Sequence, residues 1–270
     1  MSNATTEGPV FELGSRTHPG CVRELNEDSC AAFIRASGAA LLVADGVSGE
    51  RGGDTASSMA VSITERELAA EDPSLAPRKA LHRAVQRANI EIHDLALAVP
   101  ELRGMTTTLT AVVLAHGEMF AAHVGDCRLY LFRDGHLLQL TRDHTVSAER
   151  ARLGLLRKRK LRDHPGRSTL TRSLGRDLIA RVDQLRRRTA PRDLILVCSD
   201  GIHGVLDDEQ IAHCCSAAGA AEICQALLET AYHRGAPDNM TAAAARIAAT
   251  QSTAPEGSAL IHAVKRAWQS

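Results

Sequence analysis

Five aspartates, Asp28, Asp45, Asp126, Asp200 and Asp238, stand at or beside boundaries where an apolar, strand-like run gives way to a turn. Carboxylates scattered along a chain but placed at element ends can converge in space, and converging carboxylates need cations. The pattern predicts a magnesium- or manganese-type centre. Asp45-Gly46 and Asp200-Gly201 each close a buried-type run, Leu41-Leu42-Val43-Ala44 and Leu194-Ile195-Leu196-Val197-Cys198. A glycine there leaves room for a cation to reach the backbone, with a carbonyl as a further ligand. Taken singly, either pair is equally well a simple turn. Asp134-Gly135, between two short runs with polar flanks, is read as a two-residue hairpin turn without a metal role.

The elements that must position these residues follow from the hydrophobic pattern. Phe11 to Thr17, Ser29 to Arg35 and Ala39 to Ala44 read as strands, the last apolar enough to be buried on both faces. Helices are expected over about Thr55 to Ala70 and Arg78 to Ala98, separated by the breaker-rich stretch Glu71 to Pro77. Thr106 to Ala115, Met119 to Val124, Arg128 to Phe132 and His136 to Leu140 look like a meander. A basic, helical segment comes next, then strands near Ile179 to Arg186 and Asp193 to Cys198. Helices over about Asp207 to Cys214 and Ala220 to Arg234 lead to a last strand, Met240 to Ile247. Blocks of strands and blocks of helices predict an α+β layered domain rather than alternating βαβ units.

Composition narrows the functional classes. A chain of 270 residues with 44% hydrophobic residues can bury a large core, which predicts one domain over 10–249 and a tail over 250–270. Thirty-two basic residues balance thirty-two acidic ones, which argues against binding nucleic acid or anionic membrane through global charge. Aromatic residues are 3% of the chain, too few for base-stacking platforms. No apolar run approaches the roughly 20 residues of a membrane span, and Met1 to Gly8 lacks a secretory pattern. A soluble, cytoplasmic monomer is expected. The seven cysteines are odd in number, lack CxxC spacing and mostly fall in apolar segments, as Cys127 and Cys198 do, so they are read as buried free thiols. Twelve histidines without paired ligand spacing argue against zinc, and His116, His136 and His213 are read as surface or satisfied histidines.

Six short blocks occur in order along the chain: Arg23-Glu24-Leu25-Asn26-Glu27-Asp28, Ala44-Asp45-Gly46, Gly104-Met105-Thr106-Thr107, Val124-Gly125-Asp126-Cys127-Arg128, Cys198-Ser199-Asp200-Gly201 and Gly235-Ala236-Pro237-Asp238-Asn239-Met240-Thr241. Together they resemble the metal-dependent serine/threonine protein phosphatases of the PP2C (PPM) family, over about Phe11 to Ala248. Leu140 to His144, His164-Pro165 through Leu170 to Gly175, and Gly201 to Glu209 resemble further family segments, as found in bacterial-type members.

The resemblance implies an αββα sandwich of two mainly antiparallel sheets and hydrolysis of phosphoserine and phosphothreonine in proteins, opposing a bacterial Ser/Thr kinase. It further implies two Mn²⁺ or Mg²⁺ ions with a third, weaker position. Asp45 would bridge two ions, Asp200 and Asp238 would complete one, the carbonyl of Gly46 would help hold the other, and Asp126 would serve the third. Glu27 and Asp28 would act directly or through coordinated water, and Arg23 would grip the phosphoryl oxygens. A water activated between two cations makes a protein nucleophile unnecessary. Val47 stands where many eukaryotic members carry the histidine that protonates the leaving alcohol, so that donor is unassigned and a metal-bound water takes its place. Two further readings stay open: a regulatory, phosphoprotein-binding pseudophosphatase, against which the full set of aspartates stands, and a phosphatase of a partner-switching regulator.

Two segments fall outside this scheme. Arg142 to Arg176 holds eleven Lys or Arg against three Asp or Glu where relatives carry a flap, and includes Arg157-Lys158-Arg159-Lys160. It reads either as a solvated face or as a recognition element for acidic or multiply phosphorylated substrates. Beyond the linker-like Thr250 to Gly257, Ser258 could cap a short helix with apolar positions Leu260, Ile261, Val264, Ala267 and Trp268, packing on the domain or docking a partner.

Overall fold

The computed structural model describes residues 10–47, 52–70, 74–157, 160–161, 163–217 and 219–248. The expected C-terminal helix lies outside them. Among the described residues ten strands form two antiparallel five-stranded sheets. One has the order β1 (Phe11–His18), β10 (Met240–Ile247), β9 (Leu194–Cys198), β6 (Arg128–Arg133), β7 (His136–Gln139); the other has β2 (Asp28–Arg35), β3 (Gly38–Asp45), β4 (Leu109–Ala115), β5 (Glu118–Val124), β8 (Asp183–Arg188). The architecture is α+β, as the pattern predicts.

Strand periodicity explains the layering. In β3 every second residue, Ala39, Leu41 and Val43, faces the core between the sheets. The alternate residues Ala40, Leu42 and Ala44 face α1 (Gly53–Ala69) and α2 (Pro77–Ala98). In β9 and β10 the same alternation sends Ile195, Val197, Ala243 and Ala245 inward and Leu194, Leu196, Cys198, Ala242 and Ala244 toward α6 (Ala220–His233). Strands buried on both faces must read as unbroken apolar runs, which is why β3 and β9 stand out in the sequence. At Gly14 of β1 a Cβ would meet the Ala220 backbone at 2.6 Å, so glycine lets the start of α6 close on the sheet. Among the described residues no helix is long and apolar enough to cross a membrane.

Three expectations change. The run from β4 to β7 is not one meander: β5 pairs with β8, and β6 pairs with β7 and β9 in the opposite sheet. The chain crosses between sheets at Gly125, whose φ of 109° is accessible to glycine and whose missing side chain makes room for Thr108. Among the described residues of the basic segment the α-helix is α3 (Val146–Arg152), capped by the Thr145 hydroxyl. The strand expected from Ile179 starts at Asp183, because Leu178 and Ile179 project into solvent. The Asp134-Gly135 turn has φ of 51° and 78°, the doubly positive geometry of a tight hairpin.

Candidate metal centre

All five predicted aspartates lie at one end of the sandwich, contributed by both sheets. Asp28 opens β2 and is paired in register with Asp45, which closes β3. Asp126 sits in the crossing between β5 and β6, Asp200 begins the short helix α4 (Asp200–His203) directly after β9, and Asp238 precedes β10. The antiparallel registers Cys198 with Ala242 and with Arg128 bring the β9, β10 and β6 ends level. Ser199 then ties the sheets together, its hydroxyl donating to Asp28 Oδ2 at 2.7 Å and accepting from the Thr241 N–H at 2.9 Å.

The local fold explains several sequence blocks. Thr108 Oγ1 accepts from the Asp45 N–H at 2.9 Å, while the Asp45 carbonyl accepts from the Thr108 N–H and from Thr107 Oγ1, both at 2.9 Å. The threonine block therefore fixes the Asp45 backbone. Gly46 donates its N–H to the Glu27 carbonyl at 3.0 Å, and a Cβ on it would lie 2.3 Å from the Gly53 carbonyl oxygen. At Gly201 a Cβ would lie 2.0 Å from the Asn239 carbonyl oxygen. Both glycines permit backbone approaches that a side chain forbids.

Electrostatics mark the site as short of positive charge. Burial pushes the Asp28 carboxyl up to about 7; hydrogen bonds from Thr241 and Ser199 oppose this, and Asp200 and Asp238 add to it. Burial, with Asp28, Asp200, Asp126 and Asp238 around it, holds Asp45 well above the usual carboxylate range. Burial and Asp200 do the same to Asp126. Asp200 rises to about 6 through burial and Asp238, tempered by a side-chain hydrogen bond with Asp45. These carboxyls are short of the positive charge that a bound cation would supply.

An all-oxygen donor set suits a hard cation such as Mg²⁺ or Mn²⁺. Asp28 Oδ1 is buried without a hydrogen-bond partner, an acceptor that a cation or its water would satisfy. Among the described residues no three His, Cys, Asp or Glu side chains close on one point as a protein-only cage would. A cation here would complete its shell with water, which Mg²⁺ retains readily. The residues present thus fit the ions that the resemblance implies.

The remaining predicted residues fall as follows. Arg23 is 38% exposed and donates to Asp238 Oδ2 at 3.1 Å, so its partner here is a carboxylate of the centre. Glu27 flanks the site through its carbonyl bond to Gly46. Arg157 and Lys160 are exposed, joined by a Lys160 N–H to Arg157 carbonyl bond of 2.9 Å, while Lys158 and Arg159 lie outside the described residues. Cys127, read from the sequence as a buried free thiol, is buried 3.2 Å from Thr108 Oγ1. His116, His136 and His213 are exposed.

Four residues had no role assigned from the sequence. Asn239 accepts from the Glu27 N–H and donates to the carbonyls of Pro19 and Leu25, each at 2.9 Å, clamping the Arg23 loop to the Asp238 loop. His203 Nε2 lies 3.0 Å from the Asp126 carbonyl. His144 accepts from the Gly125 N–H at Nδ1 and donates its own N–H to the Gly125 carbonyl, holding the residue before Asp126. Arg167 stands with Arg23 as a positive charge that lowers Asp200. The first three act across long sequence separations, and although each lies in a segment that the resemblance covers, its partner is set by the fold.

A sequence model of the family described as protein phosphatase 2C matches residues 22–243. The serine/threonine protein phosphatase PstP of Mycobacterium tuberculosis is 33% identical over 238 residues, 88% of this chain and 45% of that protein. The chain thus spans about half the length of this relative. A putative protein phosphatase 2C-type of Streptococcus pyogenes is 32% identical over 237 residues, 86% of this chain and 96% of that one. Among solved structures, the M. tuberculosis serine/threonine phosphatase PstP/Ppp superposes with a TM-score of 0.82 at 32% identity, covering 89% of this chain and 100% of its own. The catalytic domain of PstP in complex with two manganese ions gives a TM-score of 0.80 at 30% identity, over 90% and 100%.

Proposed function

The chain belongs to the protein phosphatase 2C family, and from that premise we propose that it is a metal-dependent hydrolase of phosphoserine and phosphothreonine in proteins, opposing a bacterial Ser/Thr kinase. The observation that carries this reading is the set of five aspartates from both sheets at one end of the sandwich, four of them held above the ordinary carboxylate range by burial and by one another. Such a cluster is stable in its charged form only with cations.

In this reading Asp45, Asp200, Asp238 and the Gly46 carbonyl would hold two Mn²⁺ or Mg²⁺ ions, with Asp45 placed to serve both. Asp126 belongs to a third position, and Glu27 and Asp28 act through water. When bound, such ions supply a nucleophilic water at neutral pH and offset charge on the phosphoryl oxygens. Arg23 spends one donor on Asp238, which leaves the rest of its planar fork to receive phosphoryl oxygens. Asn239 keeps that loop in place, and Thr107 and Thr108 keep Asp45 in place. Val47, which follows Asp45-Gly46, has no proton to give, so the leaving alcohol takes its proton from water. The catalytic unit in this reading is 10–249. Seven free cysteines, five of them buried, favour a reducing compartment such as the cytoplasm.

The test is phosphate release from phosphothreonine and phosphotyrosine peptides with Mn²⁺, with a chelator, and with Asp238→Asn. Release from phosphothreonine with Mn²⁺, loss with chelator, and a fall of at least about a hundredfold in the variant are expected. Absence of any metal-dependent release would shift the reading to the regulatory, phosphoprotein-binding alternative.

A further inference from the structure

A cavity of about 1310 Å³ lies between α3 and the segment from Thr171 to Asp183, and none of the five aspartates lines it. It borders the centre through His144, which lines the cavity and is bonded to Gly125, the neighbour of Asp126. Six arginines and four acids line it. Three of the acids are already engaged: Asp143 by a two-pronged bond from Arg128, Asp183 by Arg172 at 2.6 Å, and Glu149 by Arg152 at 2.8 Å. Arg142, Arg176 and Arg181 are exposed and have no partner among the described residues, and Asp177 is the one lining acid left to face them. Three guanidinium groups around one concavity repel one another and attract an anion that spans them. Leu178 and Ile179, 56% and 76% exposed, lie in sequence between Arg176 and Arg181, so apolar and cationic contacts alternate along the rim. The volume exceeds the roughly 300–1,000 Å³ of a small-ligand pocket, and suits an extended peptide segment.

We propose that this cavity is a docking subsite for an acidic segment of the phosphoprotein substrate, read by Arg142, Arg176 and Arg181. The proposal rests on the phosphatase reading and assigns substrate recognition to Arg142, Arg176 and Arg181 rather than to Arg157 to Lys160. Acidic residues flanking the phosphorylated position would enter the cavity while the phosphate faces the aspartates.

The test compares two product peptides carrying Thr, one followed by three Glu and one by three Gln, by fluorescence anisotropy with the Mn²⁺-loaded protein. At low salt the Glu peptide should bind about tenfold more tightly, the product of three exposed charge pairs each worth about twofold, and the advantage should shrink at 150 mM salt. In the triple variant Arg142→Gln, Arg176→Gln, Arg181→Gln the ratio should fall to about one. In Arg176→Glu, Arg181→Glu a Lys-flanked peptide should become the tighter ligand. Equal binding of both peptides by the unmodified protein, or a ratio unmoved in the triple variant, would overturn the proposal. Phosphorylated forms of both peptides, assayed for release, keep the two readings apart. Release from both with equal kcat/KM removes the subsite alone, whereas absence of release from either, with the anisotropy ratio intact, removes the phosphatase reading and leaves an acidic-peptide site.

Discussion

Replacing Asp28 with Asn should stabilise the metal-free protein at pH 8 far more than at pH 5. Asp28 is buried, opposes Asp45 in register, and has one carboxylate oxygen without a hydrogen-bond partner. Its carboxyl is raised from 3.8 to about 7, chiefly by burial. The folded state therefore holds a proton that the unfolded chain gives up. The stability linked to that proton is complete below 3.8 and is lost as pH rises through about 7. At about 1.4 kcal/mol for each tenfold, ionised Asp28 costs the fold about 4 kcal/mol at pH 8 and under about 2 kcal/mol at pH 5. Asn avoids both costs. Whatever its amide loses or gains in packing is the same at both pH values, as are the contributions of the histidines, so they cancel in the difference. Thermal unfolding of both proteins in chelator should give a variant-minus-parent difference larger at pH 8 by about 3 kcal/mol, or about 6–12 °C in Tm for a domain of this size. Added Mn²⁺ should raise the Tm of the parent more than that of the variant. A difference that does not grow between pH 5 and pH 8 would refute the claim that burial and neighbouring carboxylates load this site with unfavourable charge.

Two other contacts set further expectations. His123 is pushed down to about 4 by burial and by His144, so the unfolded chain takes up the proton first and stability falls as pH drops from 6.5 toward 4. About 2 kcal/mol should be lost by pH 5, and His123→Gln should flatten that slope in urea titrations at pH 5 and pH 7.5; an unchanged slope would show that other groups set it. Asn239→Ala removes three bonds that join Pro19, Leu25 and Glu27 to the Asp238 loop. It should lower stability by about 2–3 kcal/mol and kcat/KM for phosphothreonine peptides about tenfold or more, and a variant with parental kinetics would show that Arg23 needs no such clamp.

The fold class was legible because the strands that matter are buried on both sides. β3 and β9 face a sheet on one side and helices on the other, so burial leaves an unbroken apolar run with no competing period. Boundaries failed where a tertiary partner overrode the local pattern. The apolar Leu178-Ile179 pair reads as the start of a strand, yet of this segment β5 pairs with Asp183–Arg188 alone and leaves the apolar pair in solvent. Likewise Arg128 to Leu140 looks continuous with the preceding hairpin, and only the left-handed backbone of Gly125 redirects it into the other sheet. A positive φ at one glycine carries no periodic signal, so a sheet exchange cannot be heard in the pattern.

The site divides along the same line. Aspartates at strand ends announce themselves, since a charge closing a buried run is costly without a partner. What holds them in register does not. Thr108 accepts a hydrogen bond from the Asp45 N–H, packs its methyl where Gly125 has no side chain, and touches Cys127 through its hydroxyl. One small residue thereby sets the spacing between Asp45 and the Asp126 loop, yet in the sequence it is the third of three threonines. Ser199 does the same between the sheets, receiving from Thr241 and donating to Asp28 across 171 positions. Each contact needs two chain segments whose proximity the fold alone creates. A carboxylate centre of this kind is thus written twice: locally in the charges, and non-locally in neutral hydroxyls and amides that give those charges a fixed geometry. The neutral set decides whether a cation meets a preformed site, which is why Asn239→Ala, rather than removal of any carboxylate, separates geometry from charge.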